Sequence, residues 1–132
     1  MLGEQISEST GKRIVRRVVS ENPPRVEVTF EESGKIYGVS GQGFGTYTSE
    51  VRPDGSVYGE GQGIFSTADG EGISWKGSGL GKLLPKGAVS YRGILYYRTT
   101  STKLAKLNTV CGVFEYDVDP DGTTHSKVWE WK

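Results

Sequence analysis

Glycine stands at every second position in three segments of this chain: Gly41, Gly43, Gly45; Gly59, Gly61, Gly63; and Gly77, Gly79, Gly81, each triplet 18 residues beyond the one before. In an extended chain alternate residues share a face, so each triplet lies on one side of its strand. The equal interval can bring the triplets alongside one another across successive hairpins, as a bare patch across the sheet. Extending the same parity gives Tyr37, Val39 and Tyr47; Val57 and Phe65; Ile73, Trp75 and Leu83. The opposite parity is mostly polar, as in Ser40, Gln42, Thr46, Glu60, Gln62, Ser74, Lys76 and Ser78, with Phe44, Ile64 and Leu80 as large interruptions. The glycine face is therefore predicted to be the inner one. Glycine weakens a strand, so nine at inner positions call for sharp coiling, close approach of bulky side chains, or space left for a ligand.

The rest of the chain repeats the period of two. From Arg25 onward Val26, Val28 and Phe30 alternate with Glu27, Thr29 and Glu31, and β-branched and aromatic residues dominate. Turn signals recur at Glu32-Ser33-Gly34, Pro53-Asp54-Gly55, Ala68-Asp69-Gly70, Pro85-Lys86-Gly87 and Pro120-Asp121-Gly122. They divide the chain into strands near 12–20, 25–32, 35–51, 56–67, 71–84, 87–100, 110–119 and 123–131. The first is the least regular, because Ile14, Val15, Val18 and Val19 also fit one helix face, but their β-branching favours a strand. Leu104 and Leu107 lie three apart among helix formers, which predicts one helical turn near 102–107. The fold expected is all-β: a single antiparallel up-and-down barrel of about eight strands over residues 1–132, with 1–10 as a flexible leading segment.

Sixteen Lys and Arg balance sixteen Asp and Glu, so no global field draws nucleic acid or anionic lipid. No apolar run approaches the roughly 18 residues that cross a bilayer. A lone cysteine, Cys111, cannot close an internal disulfide and suits a reducing compartment, so a cytoplasmic location is expected. It reads as a small buried hydrophobe. Lys12, Arg13, Arg16 and Arg17 make the one basic cluster, yet belong to no nucleic-acid fold motif. Asp117-x-Asp119-x-Asp121-Gly122 opens like an EF-hand loop, but the twelfth position is Val128 where a bidentate Glu is needed, and a hairpin turn is the better assignment. His125 follows a turn with no nucleophile organised around it, and Gly41–Gly45 precedes no helix, as a dinucleotide fingerprint would. Trp129 and Trp131 alternate with Val128 and Glu130, as core or subunit contacts. No cofactor and no metal is implied.

The segments Gly112-Val113-Phe114-Glu115-Tyr116-Asp117-Val118 and Tyr91-Arg92-Gly93-Ile94-Leu95-Tyr96-Tyr97 resemble a calycin-like β-barrel of the allene oxide cyclase type. With Thr67-Ala68-Asp69-Gly70-Glu71 and Lys127-Val128-Trp129-Glu130-Trp131-Lys132, the chain also looks like small prokaryotic proteins of unassigned function. Over residues 35–131 the resemblance implies a closed barrel, frequent oligomers and, in some relatives, an apolar ligand in the lumen. No catalytic residue of allene oxide cyclase matches a motif here, and fold likeness alone transfers no activity.

The functional expectation is a barrel binding a small, largely apolar molecule, bounded by Tyr47, Phe65, Trp75, Tyr91 and Tyr97. The alternatives are an isomerase or cyclase that confines its substrate, and a ligand-free oligomeric scaffold with a filled core. An enzyme would draw on Tyr47, Tyr91, Tyr97, Tyr116 and Thr99, and on Glu130 if the last strand turns that residue inward. Phe44, Ile64 and Leu80, taken as one aligned outer stripe, suggest a homodimer.

Overall fold

The computed structural model describes residues 1–132 as eight strands: β1 (Leu2–Glu21), β2 (Pro24–Ile36), β3 (Val39–Val51), β4 (Ser56–Thr67), β5 (Gly72–Leu83), β6 (Val89–Thr99), β7 (Cys111–Val118) and β8 (Thr123–Trp131). Each pairs antiparallel with the next and β8 returns to β1, closing an up-and-down barrel in chain order. Two short 3-10 turns, Pro85–Gly87 and Ala105–Thr109, interrupt it. No helix is long and apolar enough to cross a membrane.

The expected hairpins form at Gly55, Gly70 and Gly122, all at positive φ, and Gly87 ends the turn before β6 in the same region. The turn expected at Glu32-Ser33-Gly34 does not form: β2 runs on to Ile36, and the reversal falls at Tyr37 (φ 47°) and Gly38 (φ 79°). Two consecutive positive φ values suit the right-handed twist of a two-residue hairpin loop. Gly34 has another task. It pairs with Ser9 of β1, and a methyl group there would collide with the Glu8 carbonyl and Ser9.

The leading segment also departs from expectation. Residues 2–12 pair with β8 on one side, and residues 7–21 with β2 on the other. β1 therefore starts at Leu2, not near residue 12. Beyond Lys12 it has outrun β8 and pairs with β2 alone, so Ile14, Val15 and Val18 are more than half exposed. Register shifts between Arg13 and Val15 and between Val18 and Ser20 bend this free edge, as bulges do where strand-to-strand association must be avoided. A period-two sequence cannot reveal that its neighbour stops short.

The outer stripe is also redrawn by register. Phe44 faces Ile64, but the β5 partner of Ile64 is Ser74, while Leu80 pairs with Tyr58. The three large residues therefore do not form one row. Cys111, paired with outward Tyr96, lies half-buried on the outer face and not in the core.

Two apolar clusters fill the barrel. At one end Leu104 and Leu107, carried on the loop between β6 and β7, close the interior over Ile6, Ile36, Phe65, Ile73, Leu95, Tyr97 and Val128. Leu107 is fully buried, worth about 2–3 kcal/mol of transfer free energy. Toward the other end Phe30, Val57, Tyr91, Tyr116 and Val118 form the second cluster.

Candidate functional site

The 18-residue interval becomes real neighbours. Gly45 pairs with Gly63, Gly61 with Gly77, Gly59 with Gly79, and Gly79 in turn with Gly93. The bare patch crosses β3 to β6 on the inner face. Aromatic rings lie on it. A methyl group built on Gly63 would stand 2.5 Å from carbons of the Trp75 indole, and one on Gly45 would stand 2.8 Å from the same ring. Phe65 covers Gly41 and Gly43, Tyr91 covers Gly59 and Gly81, and Phe114 covers Gly79 and Gly93. The missing side chains are thus seats for large ones, a close approach only hydrogen permits.

What stays open is a cavity of about 100 Å³, lined by Tyr47, Phe65, Trp75, Tyr91 and Tyr97 together with Phe30, Glu32, Ile36, Leu95, Phe114 and Tyr116. All five residues singled out from the sequence line this one space. It is smaller than the several hundred Å³ of an ordinary ligand pocket, because four rings have folded onto the bare wall.

The opposite wall is polar. On β2 the inner parity of Val28 and Phe30 continues to Glu32, whose backbone pairs with Gly11 of β1 and Gly43 of β3. Ser9, also inward on β1, donates its hydroxyl to Glu32 Oε1, and Ser9 Oγ lies 2.8 Å from Ser126 Oγ on β8. One hydroxyl has one proton, so Ser126 donates to Ser9 and Ser9 to Glu32. No Lys, Arg or His forms an ion pair with Glu32. Burial raises its pKa above the ordinary carboxylate value, and the Ser9 hydrogen bond opposes that rise in part. Sequence reasoning missed Glu32 by assigning it to a turn. Its signal was the Val26, Val28, Phe30 alternation carried one step further.

The tyrosines between the two walls form a packed cluster. Ring centroids of Tyr47 and Tyr91 are 5.8 Å apart, Tyr47 and Tyr116 5.7 Å, Tyr91 and Tyr116 6.1 Å, and Phe30 lies 5.3 Å from Tyr116. Burial pushes the Tyr47 phenol up to about 12 and raises Tyr91, Tyr97 and Tyr116 as well; the charge of Glu32 adds to the effect on Tyr97 and Tyr116. Tyr116 Oη is sealed from solvent beside the Tyr47 phenol but outside good hydrogen-bond geometry with it. A buried hydroxyl without such a bond costs about 1–3 kcal/mol.

The remaining candidates fall elsewhere. Glu130 pairs with Gly112 on the inner face of β8, half-buried, and its charge acts on Tyr37 at the capped end. Thr99 donates to the Gly72 carbonyl. His125 is exposed and lies 2.9 Å from Asp119 Oδ2. The aspartate run makes the β7–β8 hairpin, with Asp121 accepting from the Thr123 amide.

A fold and a lumen of this kind define an eight-stranded meander barrel with an aromatic-filled interior and a carboxyl, Glu32, lining the cavity. No family model matches the chain, and no curated protein matches it. Among solved structures it is similar to a protein of unknown function from Clostridium acetobutylicum ATCC 824, with a TM-score of 0.84 at 15% identity over 99% of this chain and 98% of that one. A β-barrel-like protein from Acinetobacter baumannii AYE gives 0.82 at 14% identity over 100% and 96%. An enzyme from Penicillium herquei gives 0.66 at 16% over 96% and 92%. At these identities the likeness is one of fold, and it extends over the whole barrel.

Proposed function

We propose that the barrel binds a compact, largely apolar molecule in its lumen, with one polar group of the ligand directed at Glu32. The observation that carries this is the asymmetry of the cavity, which has rings on glycine on one side and the Glu32–Ser9–Ser126 chain on the other. A molecule with an apolar body and one hydrogen-bonding end complements both walls. The cavity of about 100 Å³ sets its size at a single ring or a short chain unless the rings move. Titration with small aromatic and aliphatic compounds, followed by amide shifts of Gly61 and Gly77, tests it. Shifts gathered on these strands are expected, and an interior that answers to no compound overturns the proposal.

A second function, proton transfer on a bound substrate, is favoured by the position of Glu32. A carboxyl whose pKa is raised by burial in an apolar cavity is suited to take and return a proton. Exchange of carbon-bound α-protons of small ketones in D2O should then occur with the native chain and stop with Glu32→Gln. Equal exchange by both would remove Glu32 from the chemistry.

A further inference from the structure

We propose that the polar wall of the lumen is a receptor for a small organic cation, a protonated amine whose N–H groups donate to Glu32 while its carbon body lies among the aromatic rings. This rests on the lumen-binding proposal above and names its ligand class.

Three features converge on a cation. Glu32 faces inward with no basic side chain paired to it. A carboxylate in a poorly hydrated site gains most from a positive partner, since the attraction is least screened there. Second, the hydroxyl chain is already oriented: Ser126 donates to Ser9 and Ser9 to Glu32, so the open capacity of the carboxylate is for accepting hydrogen bonds, and an ammonium group only donates. Third, Phe30 precedes Glu32 on the same face of β2, Tyr97 and Tyr116 lie within reach of its charge, and Trp75 is 6.3 Å from Phe30. Aromatic faces attract a cation but offer little to a neutral alcohol beyond contact area. An anion would meet Glu32 itself.

Charged and titratable groups on the neighbouring elements do not reverse this. On β1, Arg13 pairs with Phe30 and turns its guanidinium toward Gly122 in the β7–β8 hairpin, and Arg16 is exposed; the positive charge of both reaches Tyr47, but neither forms an ion pair with Glu32. Glu130 of β8 lies within reach of Tyr37, at the capped end. Tyr47, Tyr97 and Tyr116 are neutral phenols whose pKa values lie above the ordinary tyrosine value. His125 is outside, against Asp119. Rim arginines in contact with water are strongly screened, whereas the inner carboxyl is not.

The test uses three compounds of one size titrated into the full chain: benzylamine, benzyl alcohol and benzoate, read by the amide shifts of Gly61 and Gly77. Benzylamine is expected to bind roughly tenfold more tightly than benzyl alcohol, and benzoate most weakly. Its advantage should grow as the pH rises through the titration of Glu32, because only the ionised carboxylate pairs with ammonium, while alcohol binding stays flat. Glu32→Gln should abolish the advantage and leave benzyl alcohol unaffected. Should that variant fail to fold, the pH trend in the native chain decides alone. Equal or tighter binding of the alcohol or benzoate, or an amine advantage that does not change with pH, overturns the cation receptor and leaves lumen binding standing. Failure of all three compounds to reach the interior overturns both.

Discussion

The two walls of the lumen are built on opposite principles. From β3 to β6 the wall is glycine, and its side chains are borrowed: Trp75, Phe65, Tyr91 and Phe114 lie on positions that have none of their own. From β8 through β1 to β2 a row of small hydroxyls, Thr124, Ser126, Ser7 and Ser9, leads to Glu32 between the inward apolar residues Ile6, Phe30, Ile36 and Val128. The first wall stabilises the protein by close packing of large rings. The second gives up apolar contact to hold a hydrogen-bonded chain ending in a carboxyl. A barrel of this size has little interior to divide, and ring packing and the buried carboxyl occupy opposite sides of it.

The largest effect should come from the ring that covers two glycines. Trp75→Ala removes the indole from Gly45 and Gly63 and should cost about 3–5 kcal/mol in urea unfolding, if it folds at all. A loss below about 1 kcal/mol would mean that the glycine wall is not held by its rings. The converse change, Gly63→Val, places carbon where the indole sits and should cost about 3 kcal/mol, with Trp75 displaced into the cavity. A smaller change of opposite sign is expected at the cluster between the walls. Tyr116→Phe deletes a sealed hydroxyl with no well-aligned partner and should raise stability by about 1 kcal/mol.

For the polar wall the expectation is a pH dependence. Since burial raises the pKa of Glu32 in the folded state, the native form holds its proton more tightly than the unfolded chain does. Stability should therefore fall as the pH rises from the ordinary carboxylate value through the raised one and level off above it. Glu32→Gln should flatten that slope in thermal melts across the same interval, and an unchanged slope would place the titrating group elsewhere. The smallest effect belongs outside both walls. Val18→Thr, on the free edge of β1 at 73% exposure, should change stability by less than about 0.5 kcal/mol, against the larger shifts above.

Much of this was legible in the chain. Spaced glycines and alternating parity gave the sheet, its inner face, the meander order and the five aromatic residues around the cavity, because local periodicity and turn chemistry act over a few residues. Glu32 was hidden by Ser33-Gly34 beside it, which imitates a turn, while the true reversal uses Tyr37 at positive φ, a position few would assign to an aromatic residue. Leu2–Gly11 was hidden for a different reason. Its strand character comes from pairing with β8 at the far end of the chain, and no local pattern contains that partner.

The sequence by itself determined which residues of the three glycine strands face inward, since parity is a property of the extended backbone. Whether the bare wall would stand open or be covered was decided only by the closed barrel. Register and stagger set which ring reaches which glycine, and those depend on contacts between strands far apart in the chain. The same closure brought Ser9, Glu32 and Ser126 together from β1, β2 and β8, turning three unremarkable polar residues into one inward-facing group.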